Sequence, residues 1–182
     1  MLKPGFRFRK DRRGVAAVEF GLIAPVLATM LLGTIEVCNA LQCKQKVTSI
    51  ASSVADLVAQ TKSVSASDMT NIFSAANALI YPFSSANSGI VVSSIVSDGN
   101  GNGTVAWSQA QNATPLTVGT AVTVPTGLMS SSQCPANACS VILATVNYQY
   151  TSPLGKIITG TNTMSDYFYA HPRKSATVSY TN

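Results

Sequence analysis

Few side chains in this 182-residue chain are equipped for chemistry, and their spacing narrows what that chemistry is. Glu19 heads a run, Phe20 to Ile35, that carries no charge. A carboxylate placed in hydrocarbon costs several kcal/mol unless it is paired or reaches the headgroups. Cys134 and Cys139 bracket Pro-Ala-Asn-Ala, and in an oxidising compartment they are expected to close a small-loop disulfide. Cys38 and Cys43 are about 140° apart on a helix, so they read as small apolar residues or as an intermolecular bridge, not as a pair. The only histidine, His171, precedes Pro172, which leaves zinc and Ser–His–Asp readings poor. Asp98, Asn100 and Asn102 open like a calcium loop, but Gln109 falls where a bidentate glutamate belongs, and a Gly/Asn turn is favoured. No G-x-S-x-G elbow, phosphate loop or paired-carboxylate site among Asp56, Asp68, Asp98 and Asp166 is found. The chain therefore reads as no enzyme, without metal, cofactor or small-molecule substrate. Tyr167-Phe168-Tyr169 reads as sheet packing, with a partner surface as the second reading.

The elements that carry these residues begin with the membrane. Val15 to Val37 is long enough to cross a bilayer, since about 20 mostly apolar residues suffice. Pro25 lies within it and is expected to kink it. Six of the twelve Lys and Arg precede the run (Lys3, Arg7, Arg9, Lys10, Arg12, Arg13), opposed by Asp11 alone. That segment carries the whole formal charge of +5, so the basic pI reports topology and not a nucleic-acid partner. It places the N-terminus in the cytoplasm and the C-terminus across the inner membrane.

The helical pattern continues. Val47, Ile50, Ala51, Val54, Leu57 and Val58 recur every three or four residues and predict an amphipathic helix over 38–62. Helix from 15 to near 60 is about 68 Å long. Its stripe faces either its own domain or neighbouring subunits. A polar break at 62–67 follows, with Ser67 expected to cap a second helix and Asp68 favourable at its positive end. That helix buries Met69, Ile72, Phe73, Ala76, Leu79 and Ile80, and ends at Pro82. Strands are then predicted at 90–96, 104–109 (alternating around Val105 and Trp107), weakly at 117–124, most strongly at 141–150, and at 157–163 and 176–180. Residues 98–103 form the first hairpin turn. The expected fold is α+β: one long transmembrane and amphipathic helix, a short second helix and a C-terminal antiparallel sheet.

The stretch Arg-Arg-Gly-Val-Ala-Ala-Val-Glu-Phe-Gly-Leu-Ile-Ala-Pro-Val-Leu from Arg12 resembles the TadE-like pseudopilins of tight-adherence (Tad, type IVc) pilus systems. Gly14-Val15-Ala16-Ala17-Val18-Glu19-Phe20 resembles a prepilin peptidase cleavage site. The resemblance covers about residues 10–60. It implies a cut after Gly14, Val15 as the mature N-terminus, and Glu19 and Phe20 in subunit assembly. It also implies prepilin peptidase and other pilin subunits as partners, and the long-helix-plus-sheet arrangement that pilins share.

The domain plan is thus a cytoplasmic leader 1–14, a transmembrane helix 15–37, an amphipathic continuation 38–62 and a periplasmic or extracellular α+β domain 63–182. The expected function is a minor pilin or pseudopilin that assembles or primes an adhesive pilus. The alternative is an uncleaved single-pass envelope protein displaying a binding or adhesion module. Ordinary secretion, with a cut after Ala40, is opposed by Glu19 and by the helical pattern continuing past Ala40.

Overall fold

The structure, a computed structural model, describes residues 13–99, 102–125, 127–129, 139–152 and 161–181. Its first element is the 47-residue helix α1 (Arg13–Ala59), unbroken through Pro25. The hydroxyls of Thr29 and Thr34 donate to the carbonyls of Pro25 and Met30, each at 2.8 Å, so these side chains are bonded along the helix. Contacts divide the chain into two compact units that meet between Asn39 and Ala40.

In the first unit the helix is apolar on all sides. Val18, Phe20, Leu22, Leu27, Met30 and Leu31 are all exposed. In the second unit the helix becomes one-sided, and Cys43, Val47, Ile50, Ala51, Val54, Ala55, Val58 and Ala59 are buried. Leu57, expected among them, is exposed, because the sheet takes the face of Val58, about 100° away around the axis.

A three-residue strand β1 (Ser63–Ser65) leads into helix α2 (Ala66–Leu79). The cap is Ser65 and not Ser67. Its hydroxyl accepts from the Asp68 amide at 3.2 Å, and the Asp68 carboxylate accepts from the Ser65 amide at 3.0 Å, closing a capping box. The Ser65 hydroxyl, which also donates to this carboxylate at 2.7 Å, and then the Ser65 amide hold the Asp68 carboxyl below its ordinary value. Met69, Phe73, Ala76 and Ile80 are buried as expected, whereas Leu79 is exposed.

The sheet consists of β2 (Ser88–Ser97), β3 (Gly103–Gln111), β4 (Ala121–Val122), β5 (Ser140–Thr151) and β6 (Thr161–Ala170), all antiparallel. Its order is β4-β3-β2-β5-β6, with β2 at the centre. The predicted strand at 117–124 shrinks to two residues, since Thr117–Thr120 is a turn whose backbone still bonds Val105. The predicted hairpin turn closes through the Asp98 amide and the Asn102 carbonyl at 3.0 Å, with Gly99 at a positive φ of 81°.

Val105 and Trp107 do not share a face. A bulge aligns Trp107 with Ser94 but Val105 with Ile95, so consecutive pairs point to opposite sides. Trp107 joins the core between α1 and the sheet, with Ile90, Val92, Ile142, Ala144 and Val146. Ile95, Val141, Leu143, Val124 and Met129 form a second cluster on the outer face.

The candidate strand at 176–180 is β7 (Ser179–Thr181), and it pairs in parallel with β1, outside the main sheet. The strand predicted at 157–163 begins outside the described residues. Its described part belongs to β6, which runs on through Tyr167-Phe168-Tyr169.

Candidate functional site

Gly14, Val15, Glu19 and Phe20 all lie at the start of α1. Val15 and Glu19 are one turn apart and share a face, while Phe20 lies about 100° around from Glu19. Val15 and Phe20 are 59% and 71% exposed, and nothing lies within 4 Å of a Cβ built on Gly14. Residues 1–12, expected to be a leader, lie outside the described residues. The start of α1 offers one carboxylate at the head of an apolar cylinder, none of whose most hydropathic window is buried. Moving each Leu or Ile from water to an apolar medium is worth about 1.5–3 kcal/mol, so such a surface needs lipid or other helices around it.

The cysteines separate by environment. Cys43 is fully buried, and burial pushes its thiol up to about 11, so in the folded domain it is a packed side chain and not a bridge to a second chain. Cys38 is exposed. Cys139 adjoins β5, while Cys134 lies outside the described residues. Of the calcium-like triplet, Asn100 also lies outside them. Asp98 accepts from the Asn102 amide at 3.0 Å, which is a turn-closing role.

His171 lines a cleft with Ser52, Asp56 and Arg173. Ser52 donates to the Ser49 carbonyl at 3.0 Å, and Asp56 holds Arg173 and the Gln60 amide. Ser52 and Asp56 are thus bonded to groups other than His171. On the aromatic triplet, Tyr167 and Phe168 are exposed, while Tyr169 packs on the outer cluster.

Sequence spacing gave no sign of the links between α1 and β6. Lys44 donates to the Ser165 carbonyl at 2.6 Å and pairs with Asp166 at 3.1 Å, and the Thr48 hydroxyl donates to the same carboxylate. Thr48 foremost, then Lys44, hold the Asp166 carboxyl below its ordinary value. The folded state thus favours the charged form. That contribution is complete above the ordinary carboxylate range near pH 4 and is lost as pH falls through the lower folded value. Asp166→Asn is expected to lower stability at pH 7 and to flatten the acid limb of the stability profile. Urea midpoints of both proteins at pH 7 and pH 3 measure this, and an unchanged acid limb would show that the pair contributes nothing.

Together, fold and site define an α+β domain carried on one N-terminal helix long and apolar enough to cross a membrane, which fits a single-pass membrane protein. Residues 14–56 match the family model of TadE-like proteins, the likeness that Arg12 to Leu27 carries in the sequence. This is a structural, Tad pilus-associated family. The match begins at Gly14 and ends inside α1, so it speaks for the helix and not for the sheet. Neither curated proteins nor solved structures yield a match to the chain.

Proposed function

We propose that this chain is a minor pilin or pseudopilin of a Tad-type pilus. Prepilin peptidase removes the basic leader after Gly14, leaving Val15 as the mature N-terminus. Residues 15–37 hold the protein in the bacterial inner membrane with the leader in the cytoplasm and the sheet domain in the periplasm. Assembly transfers the helix from lipid to the helices of other subunits, where Glu19 and Phe20 set its register. The chain performs no catalysis in this reading.

One observation carries the proposal: the helix matching the TadE-like model carries an apolar window that is not buried among the described residues. A helix serving only its own domain would be buried on one side along its whole length, as α1 is only from Cys43 onward. The charge of +5 concentrated before the helix supports the orientation.

Mass spectrometry of the protein from its native host is the test, and Val15 is the expected N-terminus. Leu41 would mean ordinary secretion, and Met1 an uncleaved envelope protein displaying its domain. The same spectrum, taken with and without reduction and alkylation, reads the Cys134–Cys139 bridge proposed for the periplasmic domain. Equal alkylation of Cys134 and Cys139 with and without reduction would count against it.

A further inference from the structure

The face of the sheet turned away from α1 holds a cleft of about 230 Å³. Gly89 is at its floor, where a Cβ would come within 3.0 Å of the Asn112 carbonyl and 3.3 Å of the Ala113 Cβ. The missing side chain lets residues 112–113 approach β2 as one wall. Asn147 pairs across from Gly89, and Gln149 and Thr163 face each other on the next pair of this outer face. Ala86, Asn87, Ser88 and Asn112 complete the lining, which holds no ionisable side chain. Asn112 is tied to the Ser88 carbonyl at 3.2 Å. The side chains of Asn147, Gln149 and Thr163 make no hydrogen bond to the described residues, so their donors and acceptors remain open to a ligand.

An aromatic residue outside the lining follows on the same face of the sheet. Register pairs Asn147 with Ser165 and Thr145 with Tyr167, so Tyr167 is diagonal to Asn147 on the same face, about 7–8 Å away. Tyr167 is 61% exposed, and Tyr169 packs edge-on against it at 5.8 Å.

We propose that this cleft, with Tyr167 as its platform, binds a neutral carbohydrate. A carboxamide presents donors and an acceptor in one plane, which suits pairs of neighbouring sugar hydroxyls. An exposed ring offers an apolar face for the C–H side of a pyranose. An anionic ligand would find no counter-charge in the lining, and an apolar one would leave the half-buried Asn147 carboxamide without a partner. The cleft is too small for a helix and of the size of a sugar ring. The site lies outside the TadE-like match and is independent of the pilus reading.

The test uses the full chain in a detergent whose headgroup carries no sugar. Maltotetraose, mannotetraose and tetra-N-acetylchitotetraose are titrated separately by calorimetry and by saturation-transfer NMR. At least one is expected to bind saturably with a Kd of about 1 mM or tighter. Asn147→Ala and Tyr167→Ala are each expected to weaken it tenfold or more, while Tyr167→Phe, which keeps the ring, retains it. These side chains are outside both cores, so thermal melts are expected to match the unsubstituted protein. Gln149→Ala provides a second reading should Asn147→Ala fold poorly. Binding that falls steeply with added salt would point to a charged ligand and overturn the proposal. So would an absence of saturable binding to all three sugars, or equal binding by the Ala variants. A dimer lost in Asn147→Ala, without sugar binding, would make the cleft a contact between copies and likewise overturn it.

Discussion

Glu19→Ala is expected to be cut after Gly14 as efficiently as the unsubstituted chain and then to be lost from assembled filaments. A carboxylate well inside a bilayer costs about 2.5–3.5 kcal/mol or more, so a site that retains one must supply a partner. The proposed cleavage after Gly14 would create such a partner, the α-amino group of Val15, and Glu19 lies one turn further along the same face. Within one helix the two are neighbours. Between helices offset along their axes, the amine of one subunit can meet the carboxylate of the next. Removing one member of a buried pair typically costs about 3–5 kcal/mol, because the other charge is stranded. That corresponds to a drop of about 100-fold or more in subunit association. Glu19→Gln keeps the shape and a hydrogen-bonding group without the charge, and separates pairing from packing. The readout is the ratio of mature protein in sheared filaments to that in membranes. Unimpaired assembly of a fully processed Glu19→Ala chain would remove the role given to this carboxylate.

Trp107→Ala is expected to be the most damaging single substitution in the sheet domain. Trp107 is the only tryptophan in the chain. It is 7% exposed, donates its indole N–H to the Val178 carbonyl at 2.7 Å and packs on Tyr180 with ring centroids 5.7 Å apart. It thereby ties β3 to the segment that forms β7, and through β7 to β1 and the cap of α2. Truncation of a buried Trp costs about 3–5 kcal/mol through lost contacts and the remaining cavity. For a domain of this size that lowers Tm by about 10–20 °C. Trp107→Phe keeps most of the packing but leaves the Val178 carbonyl unpaired, costing about 1–3 kcal/mol. Far-UV circular dichroism of the full chain in detergent, followed through a thermal melt, measures both. A shift of under about 3 °C for Trp107→Ala would show that the β3–β7 tie carries no weight.

The sequence by itself determined what depends on neighbours along the chain. The apolar run beginning at Val15, the stripe through Val47, Ile50, Val54 and Val58, and the alternation of 141–150 are local periods, and each became the element it predicted. The α+β class and the TadE-like character of the first helix were legible for the same reason. Only the tertiary structure decided what depends on distant partners. Ser65 takes the cap because β1 pairs with β7 up to that residue, which starts α2 one residue later. The 176–180 segment left the antiparallel sheet because β1, more than 110 residues earlier, offered it a parallel edge. Trp107 moved to the opposite face from Val105 because a bulge, set by pairing with β2, breaks the alternation. Lys44 and Asp166 meet across α1 and β6, and the polar cleft gathers residues from 87 to 163. No local period encodes such meetings. They follow from register, where a shift of one residue moves every side chain of a strand to the other face.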